Sequence, residues 1–223
     1  MNGAMTGDSV REERTVVPGL DGSWLTMRIK FQERLIGSSP TSASIYQDYM
    51  AERAIKRGVT PAGDEEMTLP DGDGGALTGF PRDDTGLFLW DYQLRGFLKE
   101  AARALRLKVP GKTKAEVNLT DSLVHQFVHV FPRRLYLTRD GAKFVEPDGV
   151  LERPLRAMTM QGPRMTLAAS EFVDEGCELE AKVFVLAGPI TPEIVRQLIP
   201  YGQLVGLGQW RSGSNGRFTA EVS

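Results

Sequence analysis

The sequence predicts an α+β domain in which helices back an antiparallel sheet. Three patterns predict this class. Residues 25–31 alternate apolar and polar side chains, as a half-buried strand does, and residues 91–107 repeat apolar side chains at helical spacing. From Glu178 onward a strand, a helix, a glycine-rich loop and a second strand follow one another. Strands and helices mixed in this order are typical of a sheet covered by helices.

Length and composition are those of an ordinary globular protein, with 223 residues, 41% hydrophobic and 25% charged. The single cysteine, Cys177, excludes an internal disulfide and is compatible with a reducing cytoplasm, so we expect a cytoplasmic protein. Residues 1–17 are charged and lack the apolar run of a signal peptide. No apolar stretch is long enough to span a bilayer, so the sequence predicts no membrane partner.

The first third of the chain contains one strand, one short helix and a long loop. Leu25–Phe31 is the strand, and Ser44–Ile55 predicts a helix that ends before Gly58. Residues 58–86 are rich in Gly, Asp, Pro and Thr and predict a loop-rich insertion. We therefore expect a flexible N-terminal segment over residues 1–22 and a single domain over residues 23–223.

The strongest predicted helix covers residues 91–107. One side of it is apolar and is expected to pack on the sheet; it carries Leu94, Phe97, Leu98, Ala101, Ala102 and Leu105. The other side is cationic and is expected to face water; it carries Arg95, Lys99, Arg103 and Arg106. A solvated surface explains such a set of charges as well as a binding site does.

The second half of the chain predicts strands at Phe131–Leu137, Arg164–Leu167 and Glu178–Leu186. Thr191 and Pro192 then supply an N-cap and a proline at the first helical position, and residues 217–222 form a last strand. Together with the first half, the element order is β-α-β-β-α-β. This order predicts a ferredoxin-like sheet.

The charge is distributed unevenly along a chain whose net charge is −2. Residues 1–90 contain 9 basic and 14 acidic side chains, whereas residues 91–223 contain 18 and 15. A local cationic surface is enough to neutralise phosphates, so the basic second half is a candidate nucleic-acid surface. Besides Arg95 and Lys99, the candidates in this half are Arg133, Arg134, Arg156 and Arg164.

A glycine-rich loop near the C-terminus completes the candidate surface. Glycine lets the backbone approach a ligand closely, and arginine is a forked donor for phosphate. The spacing excludes a dinucleotide fingerprint, because only seven residues follow Gly216, and it excludes a P-loop, because no Gly-Lys-Ser/Thr opens a helix. A loop that binds a polyanion and a plain hairpin connection both remain open. The candidate residues here are Gly206, Gly208, Gln209, Trp210, Arg211, Ser212, Gly213, Gly216 and Arg217.

Catalytic candidates are limited to the two histidines, His125 and His129. Their four-residue spacing resembles a zinc-protease signature, but Gln126 stands where that chemistry needs a glutamate base. The sequence therefore predicts no metal site and no cofactor. Either histidine could act in general acid–base catalysis, or both could have a structural or hydrogen-bonding role.

Three motifs resemble the RAMP superfamily, the RRM-like proteins that include backbone and RNA-processing subunits of CRISPR complexes. Leu94–Lys99 is similar to that family's small-residue helix start, and Gly206–Arg217 is similar to its late glycine-arginine loop. Glu171–Glu180 is similar to the entry to a central strand of the backbone subunits. The resemblance covers about residues 90–223, and the N-terminal third, including Glu33–Gly37, departs from it.

The resemblance implies a protein that binds RNA or single-stranded DNA without catalysis, as a homo-oligomer or as a subunit of a larger ribonucleoprotein of CRISPR or phage origin. Phosphates would be held by the glycine loop and a basic groove, and Trp210 would stack on a base. Two alternatives remain. One is a metal-independent endoribonuclease that uses His125 or His129, and the other is an assembly protein that binds protein partners.

Overall fold

The structure is a computed structural model that describes residues 19–40, 78–111, 115–159 and 162–223. For residues 155–159 and 162–167 it describes the backbone alone. The predicted N-terminal segment up to residue 18, the predicted helix Ser44–Ile55 and residues 58–77 of the predicted insertion lie outside the described residues.

The described residues form strands and helices in the following order. The strands of the first half are β1 Gly22–Phe31, β2 Leu35–Ile36, β3 Ser39–Pro40, β4 Thr78–Gly79, β5 Arg82–Asp83, β6 Gly86–Trp90, β7 Lys108–Pro110 and β8 Glu116–Asn118. The strands of the second half are β9 Val128–Phe131, β10 Arg134–Tyr136, β11 Thr138–Arg139, β12 Ala142–Lys143, β13 Gly149–Thr159, β14 Gly162–Val173, β15 Glu178–Leu186 and β16 Phe218–Val222. The helices are α1 Asp91–Leu105, α2 Asp121–Phe127 and α3 Pro192–Leu198, with 3-10 helices at Ile199–Gln203 and Arg211–Gly213.

The main sheet is antiparallel, with the strand order β9–β15–β1–β16 and the short pair β11–β12 beside β15. Its longest pairing aligns Gly22–Lys30 of β1 with Glu178–Leu186 of β15. Helix α1 connects β1 to β9 across the insertion, and α3 connects β15 to β16. The strands predicted at Leu25–Phe31 and Glu178–Leu186 are therefore the two central strands of this sheet.

The core lies between this sheet and helix α1. The alternating residues Leu25, Met27, Ile29 and Phe31 of β1 are all buried, because the period of two places them on the side that faces the helices. Leu179, Ala181, Val183 and Val185 of β15 are buried beside them. From the helix, the Phe97 ring packs 5.0 Å from the Phe218 ring of β16.

Helix α1 matches the sequence prediction closely. Its buried residues are Leu94, Phe97, Leu98, Ala101 and Ala102. The Gln93 side-chain oxygen accepts a hydrogen bond from the Trp90 N–H at 2.8 Å, which satisfies one donor at the helix start. The helix ends at Leu105, because Arg106 adopts a left-handed conformation (φ 49°). Leu105, predicted to be buried, is consequently 39% exposed.

A second sheet, which the sequence patterns did not predict as such, is formed by β13, β14, β4 and β3, with β2 paired to the end of β14. β13 and β14 form a long antiparallel hairpin that pairs Gly149 with Phe172 and Thr159 with Gly162. β10, β6 and β5 form a third, small sheet. The prediction of an α+β fold with mostly antiparallel sheets is confirmed, and the described residues contain three α-helices. Among the residues described, no helix has the length and apolar character needed to cross a membrane.

Candidate nucleic-acid interface

The outer side of α1 carries a row of cations, Arg95, Lys99 and Arg103, which we call the α1 stripe. Residues four apart lie on one side of a helix, with an axial separation of about 6 Å. Arg103 is exposed, and Arg95 and Lys99 are partly exposed. No side chain of the stripe forms an ion pair or a hydrogen bond with any described residue. The cations on this side of the helix are therefore unpaired within the part of the chain that the structure describes.

The C-terminal loop, residues 204–217, closes on itself and on the segment that follows β1. The Leu207 N–H donates to the Gly216 carbonyl at 2.9 Å, and the Gly216 N–H donates to the Arg34 carbonyl at 2.8 Å. The Gln209 N–H donates to the Ile36 carbonyl at 3.0 Å. Several backbone donors of the loop, which could otherwise bind a phosphate, thus form bonds within the protein.

The glycines of this loop are required by its own geometry. Gly206, Gly208 and Gly216 have φ of 77°, 81° and 70°, in the left-handed region that favours glycine. A Cβ on Gly216 would collide with the Leu207 carbonyl, and a Cβ on Gly208 would lie 2.6 Å from the Ile36 carbonyl oxygen. Their predicted role in contacting a ligand stays a prediction, since close packing already explains why glycine is needed.

Trp210 adopts a strained conformation in the middle of the loop. Its φ of 53° and ψ of 44° are rare for a bulky residue, and they are held by hydrogen bonds that its carbonyl accepts from Asn215 Nδ2 at 3.1 Å and the Gly213 N–H at 3.0 Å. One face of the indole covers the Arg153 guanidinium at 4.5 Å, and the residue is 42% exposed. An aromatic ring is thus presented at the surface, as base stacking would require.

The other predicted loop residues have internal contacts or are simply exposed. Arg211 donates to Glu100 of α1 at 2.7 Å, which ties the loop to the helix but neutralises this arginine. The Gln209 side-chain oxygen lies 2.9 Å from Thr78 Oγ1 and 3.1 Å from Ser170 Oγ. Arg217 is half-buried, and its Nε has no hydrogen-bond partner among the described residues. Ser212 and Gly213 are exposed.

The remaining predicted arginines are dispersed. The Arg133 carbonyl accepts the Asp91 N–H at 3.0 Å, which places Arg133 at the start of α1, and its exposed side chain lies 5.3 Å from the Trp90 ring. Arg134 is paired with Asp83 at 2.7 Å. Arg156 and Arg164 lie on the long β13–β14 hairpin, and their side chains lie outside the described residues.

Asp83 is held in a network that explains the pairing of Arg134. Burial alone would raise the pKa of this carboxyl. Hydrogen bonds from the Tyr136 hydroxyl, the Thr85 N–H, Arg134 and the Gly86 N–H outweigh burial and hold the pKa below its ordinary value. The carboxylate thus stabilises the turn between β5 and β6, and Arg134 serves the fold.

The outer face of the main sheet, on the side away from α1, offers few free charges. Arg28 pairs with Glu180 at 2.9 Å and Lys30 with Glu178 at 3.1 Å, across neighbouring strands. The hydrogen bond with Glu180 raises the pKa of Arg28. At the other end of this face the Trp24 ring lies 5.4 Å from the Phe131 ring. One end of this face therefore carries two ion pairs, and the other end carries aromatic rings.

The two histidines lie in different elements. His125 is exposed in the last turn of α2, and His129 lies in β9 opposite Phe184. Neither side chain forms a hydrogen bond with a described residue, and no cluster of three or more His, Cys, Asp or Glu side chains suited to a metal is present in the part of the chain that the structure describes.

Burial raises the pKa of the Cys177 thiol to about 12, so it is protonated at neutral pH.

The sequence marks Arg153 only as one of the basic residues of the second half, whereas the structure places this residue of β13 beside the loop, where its guanidinium stacks on Trp210. Sequence reasoning also missed that Glu100 pairs with Arg211. The special position of Arg153 could have been suspected, because this residue is a cation inside an apolar strand. The pairing of Glu100 with Arg211 had no local signal, because 111 positions separate the two residues.

Comparisons with known proteins give only distant structural likenesses. No protein-family model matches this sequence, and no curated protein matches it. A chain of the Type III-B Cmr-beta complex bound to cognate target RNA is similar over 89% of this chain and 60% of its own, with a TM-score of 0.45 and 11% identity. A chain of a Type IV-B CRISPR complex is similar over 90% of both chains, with a TM-score of 0.41 and 15% identity. This chain thus spans about three fifths of the first of these, and scores and identities this low do not establish a shared fold.

Proposed function

We propose that this protein binds single-stranded nucleic acid, primarily RNA, without catalysing a reaction. We further propose that it acts as a subunit of a larger complex. The strand would run along the α1 stripe toward the C-terminal loop. The α1 stripe carries this proposal, because Arg95, Lys99 and Arg103 are unpaired among the described residues. Phosphates are neutralised by free cations, not by cations already bound to carboxylates.

The location of the stripe relative to the loop supports the same path. The Arg211–Glu100 ion pair joins the loop to α1 beside one end of the stripe, because Glu100 and Arg103 are three positions apart and are neighbours on the helix surface. An indole presented at the loop can stack on any base, so the arrangement suits binding without sequence preference. The expected ligand is therefore a flexible single strand with accessible bases rather than a duplex.

The fold supports a more specific proposal, that the domain is ferredoxin-like and RAMP-like. The main-sheet order β9–β15–β1–β16, with helices following the first and third of these strands along the chain, is the order expected of a β-α-β-β-α-β domain. The long hairpin β13–β14 and the small sheets would then be additions to that core.

The test is the affinity for a labelled 12-nucleotide oligouridylate, measured by fluorescence anisotropy at several salt concentrations. The variant Arg95→Gln/Lys99→Gln/Arg103→Gln removes the stripe. We expect its affinity to be on the order of 100-fold lower and its salt dependence to be shallower by about 2 units of log Kd per log salt. The matched control, Arg28→Gln/Lys30→Gln/Arg196→Gln, changes the net charge by the same amount at three cations that are already paired with carboxylates, and it should bind as the unaltered protein does.

Four results would contradict the proposal. Absence of salt-dependent binding would remove it, and equal losses in the two triple variants would show that only overall charge matters. Cleavage of the oligonucleotide, seen on a denaturing gel, would replace it with the endoribonuclease hypothesis for His125 or His129. A stable oligomer indifferent to RNA and salt would favour the protein-assembly hypothesis.

A further inference from the structure

Arg153 is a buried cation that forms neither an ion pair nor a hydrogen bond with any described residue. It is only 8% exposed, yet its Nε and Nη1 atoms are fully buried and have no hydrogen-bond partner among the described residues. Nor does it form an ion pair with any carboxylate in the described part of the chain. A buried guanidinium is unfavourable unless an anion or several acceptors satisfy it. This combination is unusual for a residue that serves only packing.

The surroundings of Arg153 are polar on one side and aromatic on the other. In the β13–β14 pairing Arg153 lies opposite Ala168, and Ser170, two residues farther along β14, shares its face of the sheet. Ser170 contacts Thr78 and Gln209, whose neighbour Trp210 covers the guanidinium. The nearest buried carboxylate in the strand, Glu171, points to the opposite face and bonds to Arg82 and to the Phe80 N–H. No carboxylate among the described residues therefore neutralises the charge of Arg153.

We propose that Arg153 and Trp210 form a nucleotide subsite in which Nη2 of the guanidinium, the nitrogen that is not fully buried, donates to a phosphodiester oxygen of a bound single strand and the partly exposed indole stacks on a base. This inference rests on the proposed function and adds a residue that no sequence motif indicated. A guanidinium is planar and presents several donors, which suits the oxygens of a phosphate. The Trp210 ring packs on one face of the Arg153 guanidinium, so the donor atoms of Arg153 are positioned before the nucleic acid binds.

The strain at Trp210 supports this assignment. A bulky residue in the left-handed region has a conformational cost, and such residues persist where the surrounding structure holds them for a purpose. Here Asn215 and Gly213 fix the Trp210 carbonyl, and the resulting conformation places the ring against Arg153. Base and phosphate of a single nucleotide can then be bound side by side.

The experiment compares Arg153→Gln with Arg28→Gln, which removes one arginine from the salt-bridged outer sheet face. Both are titrated with the labelled oligouridylate 12-mer. We expect Arg153→Gln to bind about tenfold more weakly, with a salt dependence shallower by about 0.7, as for one lost phosphate contact, and Arg28→Gln to bind normally. If the unaltered protein binds and Arg153→Gln binds equally well, the subsite is wrong although the proposed function stands. If the unaltered protein does not bind, the proposed function itself fails.

A second measurement uses the unaltered protein and does not depend on the folding of a variant. The Arg153 Nη2–H resonances, assigned by NMR, are followed during addition of the 12-mer or of inorganic phosphate, because Nη2 is the nitrogen of this guanidinium that is not fully buried. A downfield shift with the 12-mer is expected, because a charge-assisted hydrogen bond forms. No shift with the 12-mer overturns the proposal, and a shift with inorganic phosphate alone assigns the site to a free anion instead.

Discussion

Helix α1 and the C-terminal loop both carry arginine in a pattern that suggests phosphate binding, but they use it differently. On the helix, Arg95, Lys99 and Arg103 have no partner among the described residues. In the loop, Arg211 is bound to Glu100, and the glycines pack against the protein backbone. The capacity of such a motif to bind phosphate therefore depends less on how many cations it contains than on how many of them the fold leaves unpaired.

A substitution at Gly216 tests whether the loop glycines are required for packing, and we expect from it the greatest loss of stability. In Gly216→Ala the new Cβ collides with the Leu207 carbonyl, and the alanine must also adopt a φ of 70°. We expect a loss of about 3 kcal/mol in the free energy of unfolding, measured by urea denaturation.

Gly96→Ala is the matched control on the helix. Gly96 is exposed in α1 and a Cβ there meets nothing within 4 Å, so alanine should stabilise the protein by roughly 0.5–1 kcal/mol. If Gly216→Ala instead kept full stability and lost only RNA affinity, the glycines would serve the ligand, and the contrast between loop and helix would disappear.

The next prediction concerns Arg134, a second cation that the fold pairs. Asp83 accepts hydrogen bonds from Arg134 and Tyr136 through one carboxylate oxygen. Asp83→Asn removes the negative charge from that oxygen and so weakens both hydrogen bonds. We expect a loss of about 2 kcal/mol at pH 7, measured by urea denaturation. Because the folded-state pKa of Asp83 is lowered, this contribution is present above the unfolded-state pKa of about 3.9 and is lost as pH falls through the folded-state pKa.

The difference between Asp83→Asn and the unaltered protein should therefore be constant from about pH 5 to pH 8 and should shrink below about pH 4. Asp84→Asn, a change at the exposed neighbouring position, should leave stability unaltered at every pH. A difference that grows on acidification would contradict the assignment of Asp83 as an ionised partner of Arg134.

The sequence predicted those parts of the fold whose patterns are local. β15 was predicted with its observed bounds because Leu179, Ala181, Val183 and Val185 alternate with charged residues. The apolar side of α1 followed from its 3.6-residue period. β6 was missed, because all five of its residues, Gly86–Trp90, are buried and a fully buried strand has no alternation.

The site could be predicted only in part, because pairing between distant residues has no local signal. The α1 stripe could be found, since helical spacing alone places Arg95, Lys99 and Arg103 on one side. Whether Arg211 is free depends on Glu100, which precedes it by 111 positions, and the burial of Arg153 depends on the loop that covers its strand. Local patterns thus identify cations but not their partners.

Trp210 offers a test that separates conformational strain from binding. Trp210→Ala and Trp210→Gly both remove the ring, so both should bind the 12-mer about tenfold more weakly. Glycine tolerates a φ of 53° whereas alanine does not, so Trp210→Gly should be more stable than Trp210→Ala by about 1 kcal/mol in thermal unfolding. Equal stability of the two variants would show that the left-handed conformation at this position is not maintained.

The smallest expected effect comes from releasing the paired arginine of the loop. Glu100→Gln breaks the ion pair with Arg211 and removes a negative charge beside the α1 stripe. The 12-mer should bind about threefold more tightly, with a salt dependence steeper by up to about 0.7, because one more cation can meet a phosphate. Glu193→Gln, which frees Arg196 on α3 by the same change of charge, is the control and should bind normally. Unchanged affinity in Glu100→Gln would mean that the strand does not reach Arg211, and its path would then be confined to the helix.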